Sequence, residues 1–114
     1  MSSENITEDK LAEMVIDLGA ARKGTLDESW LRMFGSWAKT LLKATFGGLD
    51  FPVKVVGTKR EVESFAKALG REKNYLSAMS KYGLDDRRTY QHKGRLDSAV
   101  RGFENTTGIK WPFR

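Results

Sequence analysis

Cysteine is absent from this chain of 114 residues, and histidine occurs once, as His92. Without cysteine there can be no disulfide, no thiolate metal ligand and no thiol nucleophile. One histidine leaves a metal site to carboxylates alone, and zinc sites normally need clustered histidines or cysteines. A Ser-His-Asp triad would have to use His92, which the pattern places near the start of a helix, where a solvated side chain is expected.

Proline is also scarce, with only Pro52 and Pro112, and no apolar run approaches the length that crosses a bilayer. The first five residues are polar and lack the basic start and apolar stretch of a signal peptide. Gly57-Thr58-Lys59 lacks the spacing of a phosphate-binding glycine loop. We therefore predict a protein that is not an enzyme, needs no cofactor or metal, and does not bind a membrane.

The chain is nevertheless rich enough in apolar residues to fold. Hydrophobic residues make up 39% of it, including six phenylalanines, three tryptophans and three tyrosines. This composition supports one hydrophobic core, and two separate cores would each be marginal at this length. We predict a single domain over residues 1–114, with residues 1–24 as an N-terminal helix that could lie at its periphery.

Basic residues are concentrated in the second half of the chain. Residues 1–57 carry seven Lys/Arg and eight Asp/Glu, whereas residues 58–114 carry thirteen and seven, within a net charge of +5. The second half is therefore the better place for a phosphate or an acidic partner to bind.

Capping residues and apolar stripes at helical spacing predict a mainly α fold of four to five helices. Thr25 with Glu28, and Thr58 with Glu61, have the spacing of capping boxes. Glycines end most of the stripes. The predicted helical segments are, approximately, residues 7–21, 25–46, 58–69, 75–82 and 89–107.

Two segments have the alternation and β-branching of strands, and each contains a proline, which favours a short or edge strand. They are residues 51–56 and 109–113. We predict at most a short two-stranded β-ribbon that pairs them, with Trp111 near Trp37 or Leu41 and with Trp111 and Phe113 as core anchors. If the tail is exposed instead, it would contact another subunit, and a strand 51–56 without a partner would imply assembly with another chain.

Residues Val62 to Lys81 resemble a helix-turn-helix motif, with a small residue, Ala66, four positions before a turn glycine, Gly70. Arg71 departs from the family, which has an apolar residue at this turn position. The resemblance implies a DNA-binding protein in which a second helix faces the bases and nearby cations reach phosphate. The residues concerned are Lys73, Asn74, Ser77, Ser80, Lys81, Arg87, Arg88, Lys93 and Arg95.

Four stretches are similar to small uncharacterised proteins of tailed bacteriophages: residues 26–35, 57–58, 82–90 and 107–113. The resemblance covers residues 25–114 and carries no defined activity or functional residues. It implies a structural or capsid-associated protein of the virion, whose partners are protein subunits of a larger assembly, further copies of itself, or nucleic acid. The expected location is the virion or the host cytoplasm.

Overall fold

The computed structural model describes residues 15–46 and 53–113, and within them the predicted mainly helical fold is confirmed. Two short strands and three helices follow one another along the chain. They are β1 (Val15–Asp17), α1 (Glu28–Phe46), β2 (Lys54–Val56), α2 (Lys59–Tyr82) and α3 (Arg87–Thr107). The described residues thus contain three helices, and the prediction of four to five is wrong.

Helix α1 forms where its apolar stripe predicts it. Phe34, Ala38 and Leu41 are buried in the core. The residue that caps its start is Asp27, whose side chain accepts a hydrogen bond from the Trp30 backbone at 2.8 Å. The predicted cap, Thr25, instead donates its hydroxyl to the Ala20 carbonyl oxygen at 3.1 Å.

Helix α2 is continuous through Gly70, so the two helices predicted on either side of that glycine are one. The buried positions Phe65, Leu69 and Glu72 keep the same helical phase across the glycine. Gly70 costs the helix about 1 kcal/mol relative to alanine, which is too little to end a helix with a continuous buried face. The Thr58–Glu61 capping box forms as predicted.

Helices α2 and α3 form a hairpin around a short turn that begins at Gly83, where φ is +85°. The Thr89 hydroxyl lies against the end of α2, 2.7 Å from the Gly83 carbonyl oxygen. Phe65 of α2 and Phe103 of α3 meet in the core with ring centroids 6.0 Å apart. Phe34 of α1 stacks on Phe103 at the same centroid distance, so one aromatic cluster joins all three helices.

The N-terminal helix predicted over residues 7–21 is wrong from Val15 onward, and its earlier part lies outside the described residues. Ile16 and Leu18 are fully buried whereas Val15 is 48% exposed. This is the alternation of a strand, whereas a helical stripe through Leu18 would also bury Val15, three residues earlier. The Asp17 carboxylate then accepts a hydrogen bond from the Gly19 backbone at 2.8 Å and starts a turn.

Strand β1 pairs in parallel with β2, with Ile16 opposite Val55. The predicted ribbon between residues 51–56 and 109–113 is therefore wrong, because β2 has a different partner and the tail is not a strand. Residues 51 and 52 lie outside the described residues.

The C-terminal tail packs into the core by its side chains. Ile109 and Trp111 are buried. The Trp111 backbone N–H donates to the Glu104 carboxylate at 2.8 Å, and its indole N–H donates to Glu72 at 2.9 Å. Its ring contacts are with Phe65, Phe103 and Phe113. The predicted neighbours Trp37 and Leu41 belong to the same core but not to these ring contacts.

Candidate functional site

The residues of α2 that were predicted to face DNA share one face of a single helix. Lys73 and Ser77 are half-buried, whereas Asn74, Ser80 and Lys81 are exposed. No turn separates them from the preceding residues, because α2 runs unbroken from Lys59 to Tyr82. The helix-turn-helix geometry is therefore wrong for residues 62–81, while DNA binding itself stays a prediction.

The four cations predicted on α3 have different surroundings. Arg88 is held at the helix start, with its Nε 3.0 Å from an Asp86 carboxylate oxygen and its guanidinium carbon 3.6 Å from the Tyr82 ring centroid. The hydrogen bonds from Arg88 lower the pKa of the Asp86 carboxyl. Arg88 thus has a partner within the fold. Arg87, Lys93 and Arg95 are exposed.

Arg95 lies in a groove between α2 and α3 that also contains two cations which sequence analysis missed, Lys67 and Arg71. We call this the basic groove. No carboxylate lines it, and these three cations form no salt bridge within the part of the chain that the structure describes. Its lining residues are Lys67, Arg71, Tyr90, Gln91, Gly94, Arg95, Ser98 and Ala99.

Several carboxylates of the hairpin point away from solvent. Glu72 is 5% exposed and accepts the Trp111 indole N–H. Glu61 is 3% exposed and pairs with Arg22, whose hydrogen bonds lower the pKa of the Glu61 carboxyl. Glu104 accepts from the tail backbone. Because these acids are engaged inside the fold while most cations stay outside, the surface of the hairpin is more basic than its composition indicates.

A second groove is apolar and lies between α1, β2 and α2. It encloses about 210 Å³. Ala66 and Gly70 on its α2 side are exposed, so the groove is open to solvent. We call this the apolar groove, and its lining residues are Leu41, Val53, Val55, Val62, Phe65, Ala66, Leu69 and Gly70.

Within residues 15–46 and 53–113 the structure holds no group of three or more His, Asp or Glu side chains that could bind a metal ion. His92, expected to be solvated, is half-buried, and its Nδ1 atom is buried without a hydrogen-bond partner. No helix in the described part of the chain has the length and apolar character needed to span a membrane.

Comparison with known proteins gives no relative for this chain. No protein-family model matches it, and no curated protein and no solved structure matches it either.

Proposed function

We propose that this chain is a non-enzymatic structural or assembly protein of a bacteriophage particle, associated with the virion or its capsid. The phage context comes from the sequence resemblance over residues 25–114. The observation that carries the proposal is the apolar groove, because an anchor side chain of a protein partner typically fills an apolar pocket of this kind. The expected partners are other protein subunits or further copies of this chain.

The unpaired strand that first suggested assembly does not support it. Strand β2 has an intramolecular partner in β1. Support from the structure therefore comes from the apolar groove alone, which is lined by Val53 just before β2, by Val55 of β2, and by Val62 and Leu69 of α2.

Mass spectrometry of purified particles of the source phage tests the proposal. We expect the chain in washed particles at a fixed ratio to the major capsid protein. A parallel measurement on the soluble fraction of infected host cells is the control. Detection only in that host fraction would contradict a virion role.

The second candidate function is nucleic-acid binding by the surface of the α2–α3 hairpin. The specific observation in its favour is the basic groove, whose three cations have no carboxylate partner in the described structure. Such binding neutralises phosphates, so its affinity must fall steeply as salt is added. Absence of any retardation of DNA or RNA at low salt would remove this candidate.

A further inference from the structure

The basic groove brings together like charges that the fold does not neutralise. Lys67 and Arg71 are one turn apart on α2, a spacing at which like charges destabilise a helix. Arg95 faces the same groove from α3. An anion bound between the two helices would remove this repulsion, so the arrangement favours a ligand that carries negative charge.

The α3 side of the basic groove has unfilled space at Gly94 and polar side chains around it. A side chain at Gly94 would meet no atom within 4 Å, so nothing from the described protein fills the space above this glycine. Gln91 and Ser98 lie one turn before and one turn after it, and both are exposed. They supply hydrogen-bonding groups on the same face of α3 as Arg95.

An aromatic side chain stands beside the cations. Tyr90 is 59% exposed and lines the basic groove. It also lines a neighbouring groove that contains Tyr75, Lys93 and one carboxylate, Asp85. An exposed ring beside a cluster of unpaired cations, as on the side of the basic groove, is the arrangement with which proteins bind single strands, where bases stack on aromatic rings and phosphates follow the positive charge. Bases in a duplex are already stacked and cannot use such a ring.

We propose that the basic groove binds a single-stranded nucleic acid, with phosphates at Lys67, Arg71 and Arg95 and a base stacked on Tyr90. This inference rests on the second candidate function and specifies its ligand. Of the cations that the sequence predicted to contact phosphate, Arg95 belongs to this site. The site is the cleft between α2 and α3, and not a single helix that faces the bases.

Fluorescence anisotropy with a labelled oligothymidylate, and with a DNA duplex of equal length, tests the proposal on the full chain. The variant K67A/R71A/R95A is compared with R32A/K39A/K43A, which removes three exposed cations from α1. Both variants lower the net charge by three. Circular dichroism and melting temperature verify that each is folded.

We expect the groove variant to lose roughly tenfold or more in affinity for the single strand, and the α1 variant to lose much less. The slope of log affinity against log salt should fall by about 2 in the groove variant, since each lost phosphate contact on a single strand removes about 0.7. Tyr90→Leu should weaken single-strand binding by about tenfold without affecting the duplex. Tyr82→Leu, a tyrosine that Arg88 already covers, should have little effect.

The outcomes separate the two proposals. If both triple variants weakened binding equally, the groove proposal would be overturned. Nucleic-acid binding would then depend on the overall positive charge of the surface. A duplex bound as tightly as the single strand, with no effect of Tyr90→Leu, would overturn the single-strand assignment. No binding by the unmodified protein at low salt would overturn both.

Discussion

The C-terminal tail and the β1–β2 ribbon are both short non-helical segments attached to the α2–α3 hairpin, but they are attached by different forces. The tail packs Trp111 into the aromatic core, and the Trp111 indole N–H donates a hydrogen bond to Glu72. The ribbon buries Ile16 and Leu18, and the turn that follows it is fastened to α2 by the partly exposed Arg22–Glu61 ion pair.

This difference indicates which changes each segment will tolerate. The tail depends on one large buried side chain, so it should fail when that side chain is shortened. The ribbon shares its stability between strand hydrogen bonds, two aliphatic side chains and a charge pair. Its attachment should therefore respond to pH, and no single change there should match the loss of Trp111.

The largest effect should come from Trp111→Ala. We expect it to lower the free energy of unfolding by about 3–5 kcal/mol, the range for truncating a buried aromatic residue. The change also leaves the Glu72 carboxylate buried without its indole donor. Urea denaturation measures the loss, and Phe113→Ala, at the half-buried end of the tail, is the milder control. A loss below about 1 kcal/mol would mean that the tail is not part of the core.

Gly108→Ala should have the next largest effect, because Gly108 lies where the tail and the turn after the ribbon meet. Its φ is +75°, and an added Cβ would lie 3.3 Å from the Ala21 Cβ. We expect a loss of about 2 kcal/mol from the left-handed backbone and the close contact together.

Gly24→Ala is the matched control for Gly108→Ala. Gly24 has a φ of +72° and no atom within 4 Å of an added Cβ. It should show the backbone cost alone, and the difference between the two variants in urea denaturation reports the steric cost of the added Cβ against Ala21. Equal losses would mean that the turn accommodates the added methyl group.

Arg22→Met should have a smaller effect that depends on pH. Arg22 lowers the pKa of Glu61 below its ordinary value of 4.5, so the pair stabilises the fold above that pH and loses its contribution as the pH falls through the lowered pKa. We expect the variant to melt a few degrees below the unmodified protein near neutral pH, with the gap closing in acid. Lys23→Met, which breaks the more exposed pair with Asp17, is the control. A gap that persisted unchanged in acid would contradict this account.

Two local signals in the sequence predicted the local structure correctly. The α1 stripe and the Thr58–Glu61 capping box both depend on residues within a turn or two of one another. The local signals at Thr25 and Gly70 were misleading. The partner of β2 could not be predicted this way, because Lys54–Val56 pairs with Val15–Asp17, about forty residues earlier.

The basic groove was missed for a related reason. The sequence places Lys67 and Arg71 four residues apart, which is one turn of a helix, and this signal was available. Interpreting Gly70 as a turn placed Lys67 in one helix and Arg71 in the turn after it. Their meeting with Arg95 depends on the pairing of α2 with α3, which only the folded hairpin shows.

The smallest predicted effect tests the continuity of α2. This helix contacts both segments, because its Glu61 pairs with Arg22 of the turn after β1 and its Glu72 accepts the Trp111 indole N–H. Gly70→Ala should raise the free energy of unfolding by about 0.5–1 kcal/mol, because Gly70 is inside a helix and an added Cβ meets no atom within 4 Å.

Gly102→Ala changes a glycine inside α3 where an added Cβ also meets no atom within 4 Å, so it should raise the free energy of unfolding in urea by a similar amount. Gly83→Ala should lower it, because φ is +85° there. If Gly70→Ala behaved like Gly83→Ala, the chain would turn at Gly70. Lys67 and Arg71 would then no longer share one helix face, and the ribbon and the tail would be attached to separate helices.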